Sequence, residues 1–289
     1  MHIRWFRGLF LALSITATVG CSSLDSERSA SPSGAAGSVR TVSLVRSSGE
    51  PFEVSVYAPR SRPVASVLFS HGGGSWPEQY RTMIDTLTGQ GFVVVAPTHA
   101  DSLKRPKPIA FNTQEAFQAR ILEMQVAGRY ADKTYGVPMA AVGHSYGSLF
   151  AAMAGGALQG VAPGRVEGLD AVLAFSTPGI IPGIVQPGAY RTLDLPYMVV
   201  TGGNDRIPGL VVDPADHLAA YKEAAGSRHF AVIAETGDHE LIGSTSAEAV
   251  AARGLGIAFL KSELLRHRAS TSTLARTPPA GLQILGPRK

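Results

Sequence analysis

Cysteine is almost absent from this 289-residue chain: Cys21 stands alone, so no intramolecular disulfide can form. Charge is sparse as well. Only 17% of the residues are Asp, Glu, Lys or Arg against 45% hydrophobic, which suits one α/β domain built around a large buried sheet. The formal charge of +4 lies partly in the first twenty residues. Without Arg4 and Arg7 the chain carries 24 basic against 22 acidic side chains. No basic stripe interleaved with aromatics appears, which argues against nucleic acid as a partner. No His, Cys and Asp cluster has zinc spacing, so neither a metal nor an organic cofactor is implied. No internal repeat is present.

The apolar run at residues 8–19 is too short for a membrane span, and Arg4 and Arg7 precede it. These features predict a signal peptide over residues 1–20. Its end, Thr18-Val19-Gly20-Cys21, resembles the lipobox of bacterial lipoproteins, with Thr18 where leucine is usual. The expectation is export from a bacterial cell with Cys21 lipidated, the alternative being a secreted or periplasmic protein. Residues 21–40, rich in Ser, Gly and Ala, read as a flexible tether. The folded domain is expected over 41–268. Residues 269–289, rich in Ser, Thr and Pro, are expected to be disordered, with a short contact at 282–285 left open.

Within the domain, residues 41–46 and 52–57 alternate apolar and polar around Ser47-Ser48-Gly49-Glu50-Pro51, a β-hairpin signature. Near-continuous apolar runs follow at 64–69, 92–96, 139–142, 171–175, 197–200 and 230–234, the mark of strands buried on both faces. Helical spacing appears at 77–88, 113–130, 148–158, 215–225 and 247–265. An antiparallel start followed by β–α alternation predicts a mostly parallel, twisted sheet with helices on both faces. Only about twenty Pro- and Gly-rich residues separate the strands ending near 176 and starting near 197. That leaves no room for a large cap domain and predicts an open cleft.

The chemistry centres on Gly143-His144-Ser145-Tyr146-Gly147, a G-x-S-x-G pentapeptide. The pattern alone is common in a chain with 32 glycines, but here a strand leads in and a helix leads out. A serine hydroxyl needs a base, and the base needs an orienting acid. His239, in Thr236-Gly237-Asp238-His239-Glu240, follows a strand at its carboxyl end. His217 lies in a helical run and His229 at the wrong end of its strand, so His239 is the base expected by placement. Asp205 follows the 197–200 strand, whereas Asp170 precedes its strand at the opposite sheet edge, about 20 Å away. Asp205 is therefore the expected acid, and Asp238 a loop residue. Phe69-Ser70-His71-Gly72-Gly73-Gly74 offers backbone N–H groups to a developing oxyanion. Gly73 is the first choice, with Gly72 the near alternative, and the Tyr146 N–H is the second donor. His71 reads as a loop-ordering residue.

These segments, together with Gly91-Phe92-Val93-Val94-Val95-Ala96-Pro97-Thr98-His99 and Leu195 to Asp205, resemble the α/β-hydrolase superfamily. The likeness runs from about residue 52 to 243. It lies nearest dienelactone-hydrolase-like esterases, cutinase-type polyester hydrolases and platelet-activating-factor acetylhydrolases. The position of Asp205 is closer to the cutinase-like arrangement than to the acetylhydrolases, and the disulfide common in secreted polyester hydrolases is excluded. Trp76 and Tyr146 are candidate walls for an aromatic clamp. The resemblance implies a carboxylic ester hydrolase with Ser145, Asp205 and His239 as triad and Gly73 and Tyr146 as oxyanion donors. The substrate would be a small-molecule, lipid or polymer ester. Acyl transfer on the same fold, or a non-catalytic surface binding protein on that scaffold, are the alternatives.

Overall fold

The computed structural model describes residues 37–181 and 183–287. The expected signal peptide, Cys21 and residues 21–36 of the tether lie outside the described residues. The chain enters the fold at β1 (Val39–Val45), two residues before the expected start.

β1 pairs antiparallel with β2 (Pro51–Tyr57), and β2 antiparallel with β4 (Phe92–Pro97). The parallel body comprises β3 (Ala65–Ser70), β4, β5 (Met139–His144), β6 (Leu169–Phe175), β7 (Tyr197–Gly202) and β8 (His229–Ala234). With β9 at Leu282–Leu285, the spatial order is β1-β2-β4-β3-β5-β6-β7-β8-β9. Alternate residues of each strand serve opposite cores, as the two-residue period requires. Leu68, Val93, Val95 and Ala141 face one core, while Val67, Phe69, Val94 and Ala140 face the other. The first core is covered by α2 (Gln114–Tyr135), α3 (Tyr146–Ala154) and α4 (Ala219–Glu223). The second is covered by α1 (Arg81–Gly89) and α5 (Ala247–Leu265).

The tail is a correction. Instead of disorder, α6 (Arg268–Leu274) packs against α5, and β9 (Leu282–Leu285) pairs antiparallel with β8. Buried Leu274 and Leu282 supply the apolar anchors, so two side chains in a polar stretch suffice to dock it. The helix after the pentapeptide is shorter than residues 148–158, because the chain turns at Gly155-Gly156, with Gly156 at φ +114°. The helix predicted over 77–88 opens as a 3₁₀ turn at Pro77–Tyr80 before α1. On α2, Ile121, Leu122 and Val126 are only half-buried; Ala116, Arg120, Glu123 and Ala127 face the sheet instead. Between β6 and β7 the described residues carry no helix.

Candidate active site

Ser145 joins β5 to α3 in a conformation that non-glycine residues rarely adopt, φ +53° and ψ −126°. Such backbone costs of the order of 1–3 kcal/mol and persists only when its surroundings hold it. Here the Ser145 N–H donates to the Phe175 carbonyl (2.9 Å), and the Ser145 carbonyl accepts from the Ser148 N–H (2.9 Å). The flanking glycines are required by close approach. A Cβ on Gly143 would sit 2.4 Å from the Gly147 oxygen, and one on Gly147 would sit 2.1 Å from the Ser70 oxygen. The turn thus packs against the end of β3 and presents its hydroxyl to a cleft of about 400 Å³, also lined by Gly73, Tyr80, His239, Glu240 and Ile242.

His239 and Asp205 come from loops at the carboxyl ends of adjacent strands, β8 and β7. The loops are tied by the Asn204 N–H donating to the Gly237 carbonyl (2.9 Å). His239 Nδ1 lies 2.8 Å from Asp205 Oδ1. With Nδ1–H donating to a carboxylate, the lone pair of His239 is on Nε2. Thr201 Oγ1 donates to Asp205 Oδ2 (2.9 Å), and His217 Nε2 lies 3.0 Å from Oδ1. Burial by itself would raise the pKa of Asp205. Hydrogen bonds from His217 and His239 overcome it and hold the carboxyl far below the usual range. Asp170 is at the other edge of the sheet, accepting from the Met139 N–H (3.1 Å), and Asp238 accepts from the Glu240 N–H (3.0 Å).

The glycine turn after β3 is held from beneath by Arg120. Its Nη1 donates to the His71 carbonyl (2.7 Å) and its Nη2 to the Gly72 carbonyl (2.8 Å), while Asp101 receives Nε and Nη2 at 2.7 and 2.8 Å. In a trans peptide the C=O and the following N–H point oppositely. Pinning the Gly72 carbonyl inward therefore turns the Gly73 N–H outward, and Gly73 is exposed. The Gly72 N–H, by contrast, is committed to Tyr80 Oη (2.9 Å). The Tyr146 N–H belongs to the first turn of α3, where amides have no intrahelical acceptor.

A directional chain joins this turn to the histidine loop. The Gly72 N–H donates to Tyr80 Oη, Tyr80 donates to His144 Nδ1 (3.1 Å), and His144 Nε2–H donates to the His239 carbonyl (2.8 Å). Burial, with the His239 charge adding to it, lowers the His144 pKa to about 4, so the ring is neutral and can accept at Nδ1. His71 orders the loop as expected: its Nδ1 donates to the Gly72 carbonyl (2.8 Å) and its Nε2 accepts from the His99 N–H (3.0 Å). The Tyr146 ring packs edge-on to Phe111 and Phe150, with the Arg120 guanidinium 4.9 Å from its centroid. Among the described residues no group of three His, Cys, Asp or Glu side chains is arranged to hold a metal ion.

Arg120, Asp101, Tyr80, His144 and His217 were not identified from the sequence as site residues. Arg120 leaves one trace there: a charge three residues after Phe117, on a stripe otherwise apolar. His217 leaves none, because its contact with Asp205 depends on how the segment after β7 folds back.

Comparison with known proteins follows the architecture. No family model and no curated protein matches the chain. Solved structures do. One form of the Pyrococcus furiosus esterase Pf2001 superposes with a TM-score of 0.63 at 13% identity, covering 79% of this chain and 92% of that one. The esterase domain of a Rhodothermus marinus protein gives 0.52 at 20% identity, covering 76% and 97%. A cold-adapted esterase from an Arctic intertidal metagenomic library, solved bound to polyethylene glycol, gives 0.58 at 14% identity, covering 78% and 94%. The chain has the α/β-hydrolase fold.

Proposed function

We propose that this protein is a serine hydrolase of carboxylic esters. The observation that carries the reading is the convergence on one cleft of a strained, half-buried elbow serine and an imidazole whose far nitrogen is held by an ionised, buried carboxylate. His239 Nε2 takes the proton of Ser145 Oγ as the oxygen attacks the acyl carbonyl carbon. Asp205 fixes the tautomer and stabilises the imidazolium. The Gly73 and Tyr146 N–H groups receive the oxyanion. The tetrahedral intermediate expels the alcohol, which takes its proton from His239 and leaves an acyl ester on Ser145. Water activated by His239 then releases the acid and restores the serine. The fold by itself does not specify the chemistry; the reading rests on the arrangement of the site.

The test is p-nitrophenyl ester hydrolysis by Ser145→Ala, expected to fall by at least about 10³-fold with an unchanged circular dichroism spectrum. A fluorophosphonate is expected to label Ser145 and to react far more slowly in His239→Ala. Activity retained in the alanine variant overturns the assignment. Export and Cys21 lipidation are proposed on the sequence alone. Palmitate incorporation lost in Cys21→Ser supports lipidation, and an unlabelled wild-type protein refutes it; a full-length protein retained in the cytoplasm with residues 1–20 attached refutes export.

A further inference from the structure

Asp205 serves two imidazoles. The second, His217, lies on the short 3₁₀ segment Pro214–Leu218, twelve residues beyond the acid. Its side chain is fully buried, as is that of Asp205. Its Nδ1 is hydrogen-bonded to the Thr177 main-chain oxygen, and its Nε2 lies 3.0 Å from both the carboxylate Oδ1 and the main-chain oxygen of Asp205. A carbonyl and a carboxylate can only accept, so each ring nitrogen must carry a proton. The ring of His217 stacks towards that of His239, centroids 6.5 Å apart at 26°.

Resting on the esterase reading above, we infer that His217 is a positioning residue: a buried imidazolium paired with the catalytic acid. It holds Asp205 Oδ1 towards His239 and compensates the buried carboxylate, which otherwise lacks water. It also sets a second cation beside the imidazole that must become charged in each acyl transfer. The acid's negative charge is thus shared between a permanent partner and a transient one.

Among the described residues the named neighbours leave Asp205 as the acid that faces His217. Asp205 faces it from the end of β7, His239 from the loop after β8 and His144 from the end of β5, and the 176–196 segment contributes the Thr177 carbonyl. On its own segment Asp213 is exposed and caps the Ala215 N–H, and Asp216 is exposed; Arg206 beside the acid is exposed, and Lys222 on α4 reaches the Ala215 carbonyl. Burial acts to lower the pKa of His217, but the hydrogen bond and charge of Asp205 more than offset it, and the net shift is upward.

Two measurements test this. In ¹⁵N-histidine-labelled wild-type protein, with His217 assigned by triple-resonance spectra, both ring nitrogens are expected to be protonated at pH 7.5. A bare nitrogen there overturns the proposal whether or not the protein hydrolyses esters, and an inactive protein with a doubly protonated His217 refutes only the esterase reading. In His217→Gln, which keeps a donor for Asp205 but removes the charge, the acidic limb of kcat/KM is expected to move up by about one pH unit with KM within twofold. A merely structural residue would lower activity equally at all pH values, and an unmoved limb overturns the positioning role.

Discussion

Two hydroxyl–imidazole–carboxylate series stand at the same edge of the sheet. One is Ser145, His239 and Asp205. The other is Ser70, His99 and Glu123, with Ser70 Oγ 2.9 Å from His99 Nε2 and His99 Nδ1 2.8 Å from Glu123 Oε2. The imidazole–carboxylate distance is 2.8 Å in both, yet every side chain in the second is sealed from solvent, while His239 is 23% exposed. The charge states differ too. Burial pushes the Glu123 carboxyl up to about 8, so at pH 7 it is mostly protonated and cannot stabilise an imidazolium, and His99 is held well below its usual range by burial. Asp205 is held ionised. Geometry of the three groups is therefore insufficient. Access, a strained serine and an ionised acid are what set the series proposed to react apart from the sealed one.

The comparison breaks most decisively at the serines. Against the loss of at least about 10³-fold predicted for Ser145→Ala, Ser70→Ala is expected to keep activity within about threefold and to cost about 1–3 kcal/mol in urea denaturation, since His99 loses a buried partner. Comparable activity losses in both would erase the distinction.

Next in size is Arg120, which links the sealed cluster to the open one. Arg120→Met is expected to lower kcat about 100-fold by releasing the Gly72 carbonyl and misaiming the Gly73 N–H. It should also destabilise the fold by about 3–5 kcal/mol by leaving Asp101 buried and unpaired. A folded variant with wild-type kcat would separate the glycine turn from the arginine beneath it.

The smallest effect is on stability against pH. His71, His99 and His144 have pKa values lowered in the folded state, to about 3 for His71 and about 4 for His144, chiefly by burial. The unfolded chain binds more protons at these positions, so their contribution is complete above the ordinary histidine range near 6.5 and is lost as pH falls below it. Glu123 acts oppositely: its folded pKa is raised, so its contribution is present below about 4.5 and lost as pH rises through about 8. Three lowered histidines outweigh Glu123 together with His217, whose raised pKa acts in the same sense as that of Glu123, and the melting temperature is expected to drop by about 5 °C or more from pH 7 to pH 5. Glu123→Gln removes one of the two opposing groups and should steepen that drop; an unchanged slope would deny the sealed cluster its protonated carboxyl.

Much of this was legible in the chain. The strands read as apolar runs because a parallel sheet is buried on both faces. Ser145, Asp205 and His239 could be chosen by which end of a strand they follow, since only one sheet edge can assemble a site. Arg120 and Glu123 were not legible, because charged side chains on a helix ordinarily mark its wet face, and here they point at the sheet. The tail misled for a related reason: composition averages over the two leucines that dock it.

Local pattern determined the order of elements, the elbow and the ends of strands on which its partners lie, because periodicity and turn chemistry act between near neighbours. Only the tertiary structure decided that Gly73 and not Gly72 keeps a free N–H, that His217 shares the acid, and that one of two similar series opens to solvent. Those outcomes depend on groups such as Tyr80 and His144, or Asp205 and His217, meeting across separate elements, where burial sets charge and a hydrogen bond to one partner excludes another.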